Sequence, residues 1–367
     1  MKLVPFVMER TQSIWENQVE LNISESGVTP LTLGELLDGA SIDDTKLIYP
    51  QTNGTLELRD AISDLYPGSG PENILATNGT AEANYISVLS TLEPGDEAVV
   101  MTPNYMQVTG IARSMGANVK PLPLHEELGW AIDPDELRKM VTDKTKLIAV
   151  CNPNNPTGAV MSENAMRDVA KIAGSVGAWI LSDEVYLGAE LNGEPSATYW
   201  GWYDKLMVTA GLSKAYGLPG LRMGWVVTDK ERAEYLWSYK DYTTIAPSAL
   251  SDRLATHALE PARRTKILER TRAILNDQQP VLAAFVERHG NHMSWVKPKA
   301  GAIAFIRYSW DINSTTLMER LRDEKGVFIV PGDHFEMDHY MRLGYGYHKE
   351  KLEKALTRCS EFFKDLD

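Results

Sequence analysis

Five short apolar runs, separated by helical or turn-rich stretches, constrain this chain more than any other feature of it. They are EAVVM (97–101), KLIAVC (146–151), WILSD (179–183), KLMVTA (205–210) and GWVVT (224–228). Each is too short for a typical helix and reads as a buried strand. Between two of them, MSENAMRDVAKIAGSVG (161–177) reads as a helix with Ser162 at its N-cap. Alternation of this kind builds a mostly parallel sheet covered by helices on both faces. After about residue 248 the texture changes. Residues 249–288 are helical and charge-laced, with Pro280 expected to end or kink a helix. Strand-like AIAFIRY (302–308) and VFIV (327–330) follow, then an amphipathic helix near 349–364. The expectation is an α/β fold: a large domain over 45–248, and a smaller α+β domain made of 1–44 and 249–367. The first 40 or so residues carry no pattern of their own and are assigned to the smaller domain.

Length and composition agree with this. A chain of 367 residues holds two or three domains, or one large α/β unit with a smaller companion. With 43% hydrophobic and 24% charged residues it is ordinary globular material, which excludes disordered and collagen-like chains. A net charge of −13 argues against a nucleic-acid or anionic-membrane partner. Two distant cysteines, Cys151 and Cys359, supply neither a disulfide framework nor a four-cysteine zinc site. The N-terminus lacks a secretory signal, and no run of about 18 apolar residues occurs, so a soluble, cytoplasmic protein is expected.

Several segments carry residue types suited to chemistry. TNGTAEAN (77–84) sets a Gly-Thr pair where irregular chain becomes helix. Free N–H groups and the positive dipole end there suit a phosphate; an ordinary Asn-Gly turn fits the same letters. In TPNYMQ (102–107), Tyr105 lies just past a strand's carboxyl end, where open α/β sheets place ligands and an aromatic stacks on a flat ring. A packed core tyrosine is the plain alternative. In CNPNNPTGAV (151–160) two prolines and a glycine force a rigid loop after a strand and present Asn155 as a fixed donor. Asp183 ends a buried strand in WILSDEVYLG, with Tyr186 close behind. A buried carboxylate needs a cationic partner or a shifted pKa, unless it simply caps a helix. GLSKAYGLPGLRMGW (211–225) sets Lys214 after a strand and Ser213, with Arg222 eight residues on. A lysine held this way can lose its proton and form an imine, and Arg222 is a fixed cation for a phosphate.

The order TNGT, PNY, NPNNPTG, DEVY, SKAYGLPGLRMGW, MRLGYG resembles the fold type I, class I/II aminotransferase family of pyridoxal 5′-phosphate (PLP) enzymes, from about Ile48 to Tyr347. The resemblance implies a seven-stranded-type sheet in the large domain. It also implies that Lys214 carries PLP as an internal aldimine and then moves the substrate proton. Asp183 would pair with the ring nitrogen, Asn155 and Tyr186 would bond the ring oxygen, and Tyr105 would stack on the ring. Gly79, Thr80, Ala81, Ser213 and Arg222 would hold the phosphate. Arg342 would clamp the substrate carboxylate, with Asn155 and Gly27 near the substrate, and PGDHF (331–335) resembles a nearby loop. Tyr49 would reach the phosphate of a neighbouring subunit in a homodimer. Two positions depart from the family pattern: Gly211, where many relatives carry a phosphate-binding hydroxyl, and Glu336, where glycine is common. No second arginine for a side-chain carboxylate is evident.

Within the family, SESGV (24–28), KAYGLPGLRMGW and KDYTTIAPSAL (240–250) resemble a capreomycidine synthase-like subgroup. The expected activity is transfer of an amino group between an L-amino acid and a 2-oxo acid through the Lys214 aldimine and a quinonoid. The alternative is β-elimination and ring closure in natural-product biosynthesis, since one carbanion serves both. A PLP-binding regulator would need a DNA-binding module before Tyr49, and no basic helix-turn-helix fits there. The early G-x-G-x-x-G of a dinucleotide enzyme is missing. His334, His339 and His348 lack metal-ligand spacing, so no metal is expected.

Overall fold

The computed structural model describes residues 2–366. In chain order its strands are β1 (Leu21–Asn22), β2 (Ile74–Asn78), β3 (Glu97–Thr102), β4 (Asn118–His125), β5 (Ala131–Ile132), β6 (Thr145–Cys151), β7 (Trp179–Asp183), β8 (Leu206–Gly211), β9 (Met223–Val227), β10 (Met293–Trp295), β11 (Ile303–Tyr308), β12 (Val327–Phe328), β13 (Val330–Pro331) and β14 (Tyr340–Gly344). Eight form one sheet in the order β2-β9-β8-β7-β6-β3-β4-β5. The five apolar runs are β3, β6, β7, β8 and β9. From β4 to β8 the neighbours run parallel, while β9 is antiparallel to both β8 and β2. Seven strands carry the sheet, and the two-residue β5 adds an eighth beside β4.

Successive side chains on these strands enter opposite layers, as the pleat requires. Leu147 and Ala149 of β6, Leu181 of β7, Met207 of β8 and Val226 of β9 share one buried cluster. Their neighbours Ile148, Val150, Ile180, Val208 and Trp225 belong to another. Helices close both layers, so the strands are apolar throughout rather than alternating. Gly79–Leu89 and Lys230–Lys240 cover the first, and Glu163–Val176 the second. The last of these starts on Ser162, whose side chain accepts the Ala165 N–H at 3.3 Å.

The helix does not end at Pro280, which corrects that half of the expectation. The chain breaks earlier, between helices Ala249–Leu259 and Pro261–Arg288, and the second runs through Pro280. Pro261 sits in a first turn, where a missing N–H costs nothing. Around Pro280, burial of Gln278, Gln279, Leu282 and Phe285 outweighs the single hydrogen bond that the ring removes. Gln279 also donates from Nε2 to the Pro298 carbonyl at 2.9 Å.

A second, antiparallel sheet has the order β10-β11-β14-β13, and β1 pairs with β12. The N-terminal segment touches the smaller sheet and the loop between β8 and β9 of the large one. Its Ile23 carbonyl accepts the Gly344 N–H at 2.7 Å, and the Leu31 N–H donates to Gly217 at 3.1 Å. Helix Val7–Trp15 lies beside Tyr105, whose ring meets Phe6 edge-on at 5.0 Å. No helix among the described residues is long and apolar enough to cross a membrane.

Glu184, buried just after β7, gives the fold a pH dependence. Its Oε1 accepts from Ser182 and the Tyr199 N–H, Oε2 has no partner, and burial pushes its pKa up to about 7. A carboxyl that holds its proton more tightly when folded contributes stability that is complete below the unfolded value and is lost as pH rises through about 7. Between about pH 6 and about pH 8 the native protein should therefore lose about 1 kcal/mol that Glu184→Gln keeps. Denaturant midpoints at the two pH values check this; equal slopes in both proteins would contradict it.

Candidate active site

A cavity of about 310 Å³ opens at the carboxyl edge of the large sheet. Strand directions explain its lining. Asp183 ends β7, Lys214 and Ser213 follow β8, Asn155 follows β6 and Tyr105 follows β3. Because β2 is antiparallel to β9, which is antiparallel to β8, β2 ends on that same edge. The pairings Asn78↔Met223 and Gly211↔Gly224 then bring the start of helix Gly79–Leu89 beside the Lys214 loop and Arg222. Arg342 enters from the smaller sheet, in β14 between Phe305 and Val330.

Asp183 is buried and held from two sides. Asn84 donates from Nδ2 to Asp183 Oδ2 at 2.8 Å, and the Val185 N–H donates to Oδ1 at 3.1 Å. Thr209 fixes the Asn84 amide by donating to its Oδ1 at 2.7 Å. Burial raises the Asp183 pKa, while Asn84, Val185 and Lys214 oppose the rise. The Lys214 amine is shifted down, first by burial and then by Arg342 and Arg222, against Glu25 and Glu9. Burial thus makes the neutral amine of Lys214 easier to form and leaves the Asp183 carboxylate in want of a cation.

Asn155 links the two sheets. Its Nδ2 donates to the Tyr186 hydroxyl at 3.2 Å, and its Oδ1 accepts from Arg342 Nη1 at 3.1 Å. Arg342 is 1% exposed, donates from Nη2 to the Ser24 carbonyl at 2.6 Å, and leaves Nε without a partner. It has no carboxylate partner among the described residues. A buried guanidinium so placed suits an incoming carboxylate.

The helix start at Gly79 suits a phosphate. Asn78 provides no side-chain cap, and Thr80 Oγ1 is buried without a partner. The chain packs too closely there for side chains. A Cβ on Gly224 would lie 2.4 Å from the Gly79 carbonyl carbon and the Thr80 nitrogen, and one on Gly79, at φ +77°, would strike Arg222. Gly211 follows the same logic. A Cβ there would come within 2.6 Å of Thr80 Oγ1, so the Thr80 hydroxyl occupies the space a side chain at 211 would need. Arg222 donates to the Pro219 carbonyl at 3.0 Å and reaches Ser213 Oγ at 3.4 Å. Among the described residues no carboxylate pairs with it. An uncapped helix start, an orphaned hydroxyl and an unpaired guanidinium form a donor set for a phosphate monoester. Next to it stand an amine and a buried carboxylate. The combination fits pyridoxal phosphate.

Residues 18–358 match the family described as Aminotransferase class I and II. The chain belongs to that family. It is accordingly a pyridoxal phosphate-dependent enzyme with the fold of its relatives. Capreomycidine synthase of Streptomyces vinaceus is 34% identical over 352 residues, covering 94% of this chain and 90% of that protein. A PLP-dependent aminotransferase from Streptococcus suis 89-1591 superposes with a TM-score of 0.94 at 36% identity, over 100% of this chain and 99% of that one. The PLP-dependent cyclase OrfR superposes with a TM-score of 0.91 at 26% identity, over 100% and 98%.

In this aminotransferase-family chain, Thr80, Ala81, Tyr105, Asn155, Asp183, Tyr186, Ser213, Lys214, Arg222 and Arg342 all line the one cavity. Gly79 lies directly behind it against Arg222. Gly27 faces the Lys214 stem, where a Cβ would sit 3.8 Å from Cδ. Tyr49 is elsewhere: 82% exposed, in a surface depression with Ile48, Leu56 and Arg253. Glu336 adopts φ +61° in place of a glycine and pairs with Arg113 at 2.5 Å, which anchors the PGDHF turn. Sequence reasoning missed Asn84, Gln107 and Cys151 in the wall, and also Met8, Glu9, Gln12, Glu16, Glu25 and Ser26. The spacing of Glu9, Gln12 and Glu16 was the available signal for a helical face at 8–16.

Proposed function

We propose that this enzyme transfers the α-amino group of an L-amino acid to a 2-oxo acid. The observation that carries the reading is the convergence of Lys214, Asp183 and Arg342 on one cavity. Bound there, pyridoxal phosphate supplies an electron-poor ring that stabilises negative charge at the substrate α-carbon. Thr80, Ser213, Arg222 and the N–H groups of Gly79 and Ala81 hold its phosphate. Asp183 keeps the ring nitrogen protonated, Asn155 and Tyr186 bond the ring oxygen, and Tyr105 covers one face. Lys214 is the covalent anchor and, as a neutral amine, takes the proton from the α-carbon. Arg342 clamps the substrate carboxylate from the smaller sheet, beside Asn155 and Gly27.

The reading includes a homodimer. Tyr49 and its exposed neighbours Leu47 and Ile48 would meet a second copy, Tyr49 reaching the phosphate across the interface. Residues 45–248 would form the cofactor-holding domain, and 1–44 with 249–367 the domain that brings Arg342.

A second reading, β-elimination with ring closure, is favoured by the similarity to capreomycidine synthase and to the OrfR cyclase. It gains support from Glu16, a carboxyl group in the cavity wall whose pKa burial and the nearby Glu25 and Glu9 raise, placed where it could serve a departing group. The two readings differ in stoichiometry. Given one amino acid and no acceptor, transamination should yield one 2-oxo acid per site, bleach the visible band and stop until an oxo acid is added. Many turnovers without an acceptor would overturn it in favour of elimination.

A further inference from the structure

A buried ion pair stands behind the phosphate donors and serves no step of the proposed chemistry. Glu82 lies in the first turn of helix Gly79–Leu89, and Lys240 ends helix Lys230–Lys240. Their side chains are 6% and 0% exposed, with Lys240 Nζ 3.6 Å from Glu82 Oε2. Neither lines the cavity, whereas Thr80 and Ala81, on the same turn as Glu82, do.

Glu82 Oε2 also accepts the Asn78 N–H at 2.5 Å. Asn78 directly precedes Gly79, and its own side chain caps nothing. Glu82 Oε1 accepts the Thr243 hydroxyl and, at 2.7 Å, the Thr244 hydroxyl. Thr244 Oγ1 in turn accepts from Lys240 at 2.7 Å. The carboxylate thus ties the turn at 78–79 to the chain that follows helix Lys230–Lys240. Within the same turn the Thr77 hydroxyl donates to the Gly79 carbonyl at 3.0 Å.

Helix stabilisation alone does not call for Lys240. An acid in a first turn already has the positive end of the helix dipole as its counter-charge. Burying an ammonium beside it costs desolvation, and burial does push the Lys240 amine down, with Glu82 opposing. A phosphate changes the balance. On the functional reading above, which this inference rests on, a phosphate binds the N–H groups of Gly79 and Ala81, within one turn of Glu82. An unpaired Glu82 would repel that phosphate and compete with it for the dipole.

We infer that Glu82 and Lys240 are positioning residues for the phosphate. Glu82 holds the Asn78 N–H, so that the Gly79 turn keeps its donors towards the cavity, and Lys240 cancels the charge that this puts behind them.

The test titrates the full-length enzyme, freed of cofactor, with pyridoxal phosphate at about pH 8, where carboxyls are ionised, and follows the visible band. Inorganic phosphate as a competitor isolates the phosphate's share of the affinity. Glu82→Ala, which loses the acceptor, should need about tenfold more cofactor for half-saturation. Glu82→Gln, which keeps an acceptor and drops the charge, should bind as tightly as the native enzyme or tighter. Lys240→Met, which leaves the carboxylate alone, should weaken binding about tenfold, and the double variant Glu82→Gln/Lys240→Met should return to within about twofold of native. Competition by inorganic phosphate should follow the same order. A role in folding alone predicts otherwise, since Glu82→Gln and Lys240→Met each leave a buried charge unpaired and should both lower the thermal midpoint. Affinities that fall together in those two variants overturn the inference, as does native affinity in Glu82→Ala. Should Lys240→Met fail to fold, weaker binding by Glu82→Gln overturns it alone. Arg222→Ala checks the reading beneath: if inorganic phosphate competes in it as well as in the native enzyme, the phosphate site itself is misplaced. Phosphate binding that depends on Arg222, with the wrong order among the Glu82 and Lys240 variants, overturns this inference only.

Discussion

Lys214→Ala should lose turnover by about 10³-fold or more while folding normally. Lys214 is the amine of the cavity; the other cations lining it, Arg222 and Arg342, are guanidiniums that do not give up a proton near neutrality. Lys240, a deeply buried lysine, is paired with Glu82 at 3.6 Å and lies outside the lining. No second amine is therefore at hand to replace Lys214 in the two roles proposed for it, covalent anchor and base. The substitution removes a half-buried side chain whose stem runs past Gly27, and it leaves no carboxylate without an ion-pair partner. Thermal midpoints should stay within a few degrees. Mass spectrometry after borohydride reduction gives a readout independent of turnover. The native chain should gain the mass of one reduced cofactor, and the variant should gain none. A variant that keeps more than about a tenth of native turnover, or that gains the mass at another residue, contradicts the assignment.

How far the letters reached is clear from particular elements. The central strands β3, β6, β7, β8 and β9 were legible because both of their faces are buried, which leaves continuous apolar runs. β4 was not, because NVKPLPLH is only partly buried and carries two prolines, which local reasoning reads as a breaker. The cofactor side of the cavity was legible because its residues follow strands in short, Gly- and Pro-rich loops. The substrate side was not. Glu9, Glu16 and Glu25 look like any solvated charges until the N-terminal segment is seen bridging the smaller sheet and the loop between β8 and β9, and that placement depends on distant backbone partners such as Gly217, Gly344 and Gly346. Asn84 illustrates the same limit. It sits one turn into a helix, and only the register of β7 and β8 brings Asp183 and Thr209 to its amide. Propensity errors had a local cause as well. Pro280 was expected to interrupt a helix that long-range burial keeps continuous.

Asp183→Asn should separate catalysis from folding through effects of opposite sign. In the cofactor-free protein the carboxylate is buried, and the Asn84 amide and the Val185 N–H only partly offset that burial, so its pKa is raised. A carboxyl with a raised folded pKa contributes stability that is complete below its unfolded value near 3.8 and is lost as pH rises through the folded value. Near neutrality the native protein carries this cost, and an asparagine of the same shape does not. The cofactor-free variant should accordingly be at least as stable as the native protein, with the difference shrinking as pH falls through the carboxyl's titration. With pyridoxal phosphate bound the balance reverses. A protonated ring nitrogen is the cation that Asp183 lacks, and an amide answers it with a dipole instead of a charge. The thermal shift on adding the cofactor should be smaller in the variant, since stabilisation follows affinity for the folded state. Turnover should fall by about 10²-fold or more, because the ring nitrogen is no longer held protonated while charge develops at the substrate carbon. Thermal midpoints with and without cofactor, together with turnover, decide the matter. If the variant loses stability without cofactor and keeps its turnover, Asp183 serves the fold alone and the proposed chemistry has lost its acidic partner.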